Sequence, residues 1–285
     1  MIIVDYSGVA IANLFAMKAQ VNEQLVRHMI LNSLRMYNVK YRKEYGQMIL
    51  ACDGGNTWRR QLFPQYKAHR KKNREESSID WTEFFRILGV VRDEIKENLP
   101  FKVVHLQGVE ADDVIATLVH QTQEFGRGEP VMIVSADKDF VQLHQYKNVK
   151  QFSPMTKALV KEGDPVAYLY EHIFRGDSGD GVPNVLSPDN TFVDNIRQKP
   201  VSAKKIEQWV ANISNLQSVM DQETYRNYQR NRALIDLSAI PPAKKIEIIN
   251  TLESVKPASN TLNYLIGKRC TQLIECAAEF NSSTV

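Results

Sequence analysis

Cysteine is scarce: Cys52, Cys270 and Cys276 are the only three in 285 residues. Their odd number and wide spacing exclude a disulfide framework or a zinc knuckle and imply a reduced, intracellular setting. Long apolar runs are missing as well. No stretch approaches the ~18 residues of a membrane span. The apolar start is cut at Asp5 with no basic region before it, unlike a secretory signal. These absences point to a soluble, intracellular chain. Repeats and low-complexity tracts are also lacking, and no Ser–His–Asp or Cys–His arrangement stands out to serve as a covalent nucleophile.

What remains is an ordinary globular composition. Hydrophobic residues make up 43% and charged residues 24%, with a mean hydropathy of -0.35. That suffices for one large domain, or for a main domain with an appendage. The net charge of +3 is modest, but acids and bases are segregated along the chain.

Apolar runs at Met1–Val4, Met48–Ala51 and Val131–Val134, with a fourth at Phe101–Leu106, read as buried parallel strands. Helical spacing separates them. Val26, Met29, Ile30, Leu34 and Tyr37 share a face between Val21 and Asn38. Asp80 and Glu83 open a helix through a capping box, followed by Phe84, Ile87, Leu88, Val91 and Ile95. A further helix begins near Glu110 and buries Val114, Ile115, Leu118 and Val119. The alternation predicts an α/β domain with a mostly parallel central sheet over roughly the first 170 residues. Beyond it, residues 175–200 read as loop. Residues 203–285 read as helices broken at Pro241-Pro242 and Pro257, with a polar, frayed tail over 281–285.

The acids fall where such a sheet presents ligands, at the carboxyl ends of its strands. Asp5 and Asp53 end the first two strands, and Asp137 and Asp139 follow the third. Glu110, Asp112 and Asp113 open a helix, while Asp177 and Asp180 bracket a Ser-Gly turn. Any one of these alone is best read as a helix cap or turn residue, Asp113 most of all. Together they would converge from at least four segments. Two bare carboxylates ~4 Å apart repel by about 4 kcal/mol at an effective dielectric near 20. A cluster must therefore hold protons or cations. Oxygen ligands without His or Cys suit Mg²⁺ or Mn²⁺.

No acid lies between Asp53 and Glu75, whereas Arg59, Arg60, Lys67, Arg70, Lys71, Lys72 and Arg74 crowd together. Trp58, Phe63 and Tyr66 are interleaved. A basic run is most often a solvated face. Placed just after a metal ligand, this one is suited to neutralise phosphates, with rings to stack unpaired bases.

These residues resemble the flap endonuclease/5′-exonuclease family, in particular its T-even bacteriophage ribonuclease H branch, over nearly the whole chain. The anchors are Ile3-Val4-Asp5-Tyr6-Ser7, Cys52-Asp53, Trp58-Arg59-Arg60 with Tyr66-Lys67 and Arg70, Glu110-Ala111-Asp112-Asp113, Ser135-Ala136-Asp137-Lys138-Asp139-Phe140, and Gly176-Asp177 with Asp180. The resemblance implies a PIN/5′-nuclease-like α/β fold with helices on both sheet faces and a helical C-terminal region. It implies a nuclease domain over 1–174, with a basic arch at about 56–78, and a DNA-binding and C-terminal region over 175–285.

It further implies a two-metal 5′-3′ exonuclease and flap endonuclease with ribonuclease H activity. Such an enzyme would act on DNA and RNA–DNA hybrids and remove primers during replication. The first metal group would be Asp5, Asp53, Asp112 and Asp137 with Glu110, and the second Asp139, Asp177 and Asp180, with Asp113 beside them. Two Mg²⁺ ions, for which Mn²⁺ could substitute, would be the cofactors. Lys67 and Arg70 would act on the scissile phosphate. Arg59, Arg60, Lys71, Lys72, Arg74, Lys204 and Lys205 would hold nucleic acid. A monomer in the cytoplasm of an infected bacterial host is implied, with a phage single-stranded-DNA-binding protein as partner. One departure is visible: the family's glycine-rich turn after the last aspartates is largely missing from Gly181-Val182-Pro183-Asn184-Val185 and the polar segment to Pro200. Two other readings stay open, a structure-specific DNA-binding protein without turnover and a metal-dependent phosphatase on small substrates.

Overall fold

The computed structural model describes residues 1–16, 21–161 and 163–281. In chain order its elements are β1 (Ile2–Asp5), α1 (Tyr6–Ala16), α2 (Glu23–Tyr45), β2 (Met48–Cys52), α3 (Arg59–Leu62), α4 (His69–Glu75), α5 (Trp81–Asn98), β3 (Lys102–His105) and α6 (Ala111–Gln123). Then come β4 (Val131–Val134), β5 (Val149–Ser153), β6 (Ala158–Leu159), α7 (Pro165–Arg175), α8 (Ala203–Ala211), α9 (Gln222–Ile235), α10 (Pro242–Ser254), α11 (Thr261–Gly267) and α12 (Thr271–Ile274). They form two compact units. One comprises 1–55, 78–161 and 242–285, the other 56–77 and 162–241. This grouping differs from a cut at 174/175, because 56–77 joins the second unit and 242–285 the first. The tail over 282–285 lies outside the described residues.

The first unit is built on a six-stranded sheet in the order β3-β2-β1-β4-β5-β6. All neighbours are parallel except β6, which runs antiparallel to β5. Ile2, Ile3 and Val4 of β1 are completely buried, as continuous apolar strands must be when both sheet faces are covered. Helices α1, α2 and α5 pack on one face and α6 on the other, with α10 against α6 and β3. Asp80 caps α5 by accepting the Glu83 N–H at 2.9 Å, and the five apolar residues expected on its inner face are buried. Pro242 starts α10, where a missing N–H costs nothing. No described helix is long and apolar enough to cross a membrane.

The second unit packs α7, α8 and α9 with the short helices α3 and α4. Its core joins Phe63 and Tyr66 to Phe174, Trp209, Tyr228 and Leu234. The stretch between α7 and α8 has almost no regular structure, yet it is held firmly. Asn184 receives the Leu186 N–H and donates to the Lys199 carbonyl. Asn227 and Asn231 of α9 donate to the carbonyls of Val185 and Pro183. These asparagine side chains satisfy backbone groups that a helix or ladder would otherwise have to satisfy.

Candidate active site residues

Strand β1 lies between β2 and β4, and the chain leaves it toward opposite edges of the sheet. Ligands bind at the carboxyl ends beside such a reversal. Asp5 is the last residue of β1 and is only 9% exposed. Its Oδ2 accepts the Ser135 hydroxyl at 2.8 Å, and its Oδ1 accepts the Gly8 N–H at 2.8 Å, as an N-cap does for α1. A Cβ on Gly8 would lie 2.3 Å from Asp5 Oδ2, so only glycine leaves room for this carboxylate.

Asp137 stands just beyond β4, and its N–H donates to the same Ser135 oxygen at 3.1 Å. Buried Gln151 of β5 clamps this loop, donating to the carbonyls of Ser135 and Asp137. Asp137 in turn accepts the Asp139 N–H at 2.9 Å, which starts the 3₁₀ helix Lys138–Gln145. Asp53, just beyond β2, accepts the Ala111 N–H at 2.9 Å, tying it to the start of α6.

Electrostatics link these residues. Burial, then repulsion from Asp53, pushes the Asp5 carboxyl up to about 7; Asp137 adds to the rise, while the Gly8 and Ser135 hydrogen bonds oppose it. A carboxyl driven that far by its own burial and by neighbours of like charge is poised to trade its proton for a cation. Glu110 and Asp112 flank the start of α6, Glu110 buried and Asp112 half-buried. Asp113 is completely buried and accepts the Glu110 N–H at 2.9 Å in a reciprocal capping box. One of its two oxygens thus serves the helix cap.

In the second unit, Gly176 and Gly181, both with positive φ, delimit the turn that carries the other two aspartates. Asp177 accepts the N–H groups of Gly179 and Asp180, and His172 Nε2 lies 3.6 Å from its Oδ2. Burial opposes ionisation of Asp177, but His172 and those N–H groups outweigh it and hold the carboxyl below its ordinary value. Asp180 is caged. Tyr66 donates its hydroxyl at 2.6 Å, Lys67 Nζ lies at 3.4 Å, and Arg70 donates from its guanidinium. The backbone joins in, with the Lys67 N–H on the Asp180 carbonyl at 2.7 Å. The two cations expected to meet phosphate are therefore paired with an aspartate expected to hold metal.

The basic stretch needs correction. Trp58, Phe63 and Tyr66 are 7%, 2% and 2% exposed, so they have no face for stacking bases, and Phe63 and Tyr66 pack the core of the second unit. Arg59 is 2% exposed, and its Nε donates to the Leu234 carbonyl. It is a structural arginine and not a phosphate contact. Arg60, Lys71, Lys72 and Arg74 are exposed on α3 and α4, and Lys204 and Lys205 on the first turn of α8. The residues that sequence reasoning missed are Gly8, Gln151, His172 and the tyrosine hydroxyl of Tyr66. Ser135 stood in a motif without a role.

Residues 1–169 match the 5′-3′ exonuclease N-terminal resolvase-like domain, and residues 163–280 match the C-terminal domain of T4 RNase H. The chain belongs to the 5′-3′ exonuclease family. It is 33% identical to the ribonuclease H of Enterobacteria phage T4 over 98% of this chain and 95% of that protein. Among solved structures, this exonuclease-family chain shares its fold with the T5 5′-exonuclease bound to divalent metal ions (zinc), at a TM-score of 0.62 and 18% identity over 90% of this chain and 98% of that one. A complex of the T5 D15 flap endonuclease with DNA and metal ions gives 0.61 and 18% identity over 97% and 98%. Family membership makes the chain a 5′ nuclease, with the PIN-like fold and helical C-terminal region expected from its sequence.

Proposed function

We propose that this 5′ nuclease is Mg²⁺-dependent and hydrolyses phosphodiesters from the 5′ end of RNA–DNA hybrids and of duplex or flapped DNA, removing RNA primers during replication. The observation that carries the reading is the buried Asp5 carboxyl, pushed up to about 7 beside Asp53 and Asp137 at the sheet's switch point. Similarity to a protein named ribonuclease H supports the hybrid substrate.

The donors are carboxylate oxygens, a set that fits Mg²⁺ or Mn²⁺. Asp5, Asp53, Asp112 and Asp137, with Glu110, would hold the first ion. Asp139, Asp177 and Asp180 keep the metal role that the family resemblance gives them. Asp113, one of whose oxygens caps α6, stands beside them in that resemblance. Bound ions would supply an activated water and offset charge building on the phosphoryl group.

The protein's own residues do the rest. Ser135 fixes the Asp5 carboxylate and Gln151 fixes the loop carrying Asp137, so the donors are oriented before a cation arrives. Lys67 and Arg70 hold substrate phosphate, where a cation helps most as charge develops. To do so they must exchange the Asp180 carboxylate for a phosphate oxygen, which frees Asp180. Arg60, Lys71, Lys72, Arg74, Lys204 and Lys205 supply exposed positive charge for the nucleic-acid backbone. Digestion of end-labelled RNA–DNA hybrids and flapped duplexes with and without Mg²⁺ tests the reading. Products shortened from the 5′ end only when Mg²⁺ is present are expected. Equal cleavage in chelator would refute it.

A further inference from the structure

Away from the carboxylates, the edge of the sheet in the first unit holds a cavity of about 250 Å³ between α2 and the β5–β6 hairpin. Its floor is aromatic. Tyr41 and Phe152 meet edge to face at 5.9 Å, both nearly buried. Its rim is basic: Lys40, Lys150 and Lys157 line it and are exposed. Lys40 Nζ sits 4.2 Å above the Phe152 ring. Glu44 is the only acid in the lining, and it already pairs with Lys150 at 3.4 Å. Three lysines less one glutamate leave two positive charges around an apolar floor. Leu159, 45% exposed, adds an apolar lip.

We propose that this cavity docks an acidic peptide segment of a protein partner, which inserts one apolar side chain onto the Tyr41–Phe152 floor and sets its carboxylates on Lys40 and Lys157. Size, chemistry and place support this. The volume falls below the range of about 300–1,000 Å³ typical of small-molecule sites and suits a single leucine or phenylalanine side chain. The rim offers lysine point charges and no arginine fork, so it lacks the bidentate geometry that favours phosphate. The cavity also reaches Met132 and Lys150, second residues of β4 and β5 and register partners. Its floor residue Phe152 pairs with Val134 in the carboxyl half of β5, but the cavity lies on the β5–β6 edge of the sheet, two strands away from β1. None of the lining residues belongs to the nuclease machinery.

The test is fluorescence anisotropy with a labelled acidic hexapeptide, Asp-Glu-Asp-Asp-Phe-Leu, and its Ser-Ser-ended counterpart, against the full-length protein. The apolar-ended peptide should bind and the Ser-Ser version should bind about tenfold more weakly. K40E/K157E should weaken binding of the first peptide about tenfold or more while leaving cleavage of a flapped duplex unchanged. Because charge reversal at Lys40 could disturb the aromatic floor, K157N serves as the second variant. Lys157 has a φ of 55°, which asparagine tolerates, so this variant should stay folded and lose part of the affinity. Absence of peptide binding, or binding indifferent to these changes, would overturn the proposal. So would an oligonucleotide that displaces the peptide and is itself lost in K40E/K157E, because the surface would then be a nucleic-acid site.

Discussion

Ser135 and Asp5 lie 130 residues apart in sequence and are joined by a 2.8 Å hydrogen bond inside the sheet. The same hydroxyl oxygen receives the Asp137 N–H, so one serine orients the Asp5 carboxylate and holds the backbone that carries Asp137. Removing it in Ser135→Ala leaves no large cavity but frees Asp5 to rotate. Orienting partners of metal ligands typically contribute 10–100-fold in affinity or activity. The half-saturating Mg²⁺ concentration should therefore rise by about tenfold with the melting temperature in chelator nearly unchanged. An unchanged Mg²⁺ dependence would mean that the serine only shapes the fold.

The elevated Asp5 carboxyl predicts an unusual pH response. Its folded pKa of about 7 lies above the ordinary 3.8, so the folded protein binds the extra proton. The stabilisation this gives is fully present below about pH 4 and is lost as pH rises through 7. In chelator, the melting temperature should fall from pH 5 to pH 8 if Asp5 dominates. With Mg²⁺ the loss should be offset, because cation replaces proton, and the gap between the two conditions should widen with pH. A constant gap would contradict the exchange of proton for metal.

With Lys67 and Arg70 proposed to take substrate phosphate, the cage around Asp180 would make the aspartate and that phosphate compete for the same donors. Asp180→Asn should bind 5′-tailed DNA in chelator at least as tightly as the parent, by about two- to fivefold more if the competition is strong. Cleavage in Mg²⁺ should fall sharply. Weaker binding by a folded variant would show that Asp180 holds Lys67 and Arg70 in a productive position instead of blocking them.

Lys67→Ala with Arg70→Ala tests the phosphate contacts themselves. Each contact to a single strand adds about −0.7 to the slope of log K against log salt. The double variant should flatten that slope by roughly one to one and a half units on 5′-tailed substrates and change it little on blunt duplex. Equal flattening on both would make these residues part of a general basic face.

Strands β1 to β4 were readable from the sequence because each is a short apolar run ended by a polar residue, and the acids at their ends followed from the same pattern; β5, which mixes Lys150 and Gln151 into its run, and the two-residue β6 were not. Helix α1 was not readable, since it starts directly at Asp5 without a turn and is apolar nearly all round. The basic stretch misled for a related reason. Arg59, Phe63 and Tyr66 are buried by residues from 173–235, contacts that no local window displays. Ser135 and Gln151 escaped assignment because their roles are hydrogen bonds to loop backbone and to a distant carboxylate. The missing glycine-rich turn was visible as an absence. What replaces it, a loop fastened from within by Asn184 and from α9 by Asn227 and Asn231, depends in part on side chains 40 or more positions away.

Turnover of Asp137→Asn on a 5′-labelled RNA–DNA hybrid at saturating Mg²⁺ tests the central claim most directly. Asp137 shares the Ser135 oxygen with Asp5 and starts the turn that leads to Asp139. Asparagine keeps its shape and backbone hydrogen bonds while removing the charge. Metal-assisted cleavage predicts a loss of about a hundredfold or more, with the variant folded and still binding the hybrid. Turnover within a few-fold of the parent would contradict a metal-dependent active site built on these carboxylates.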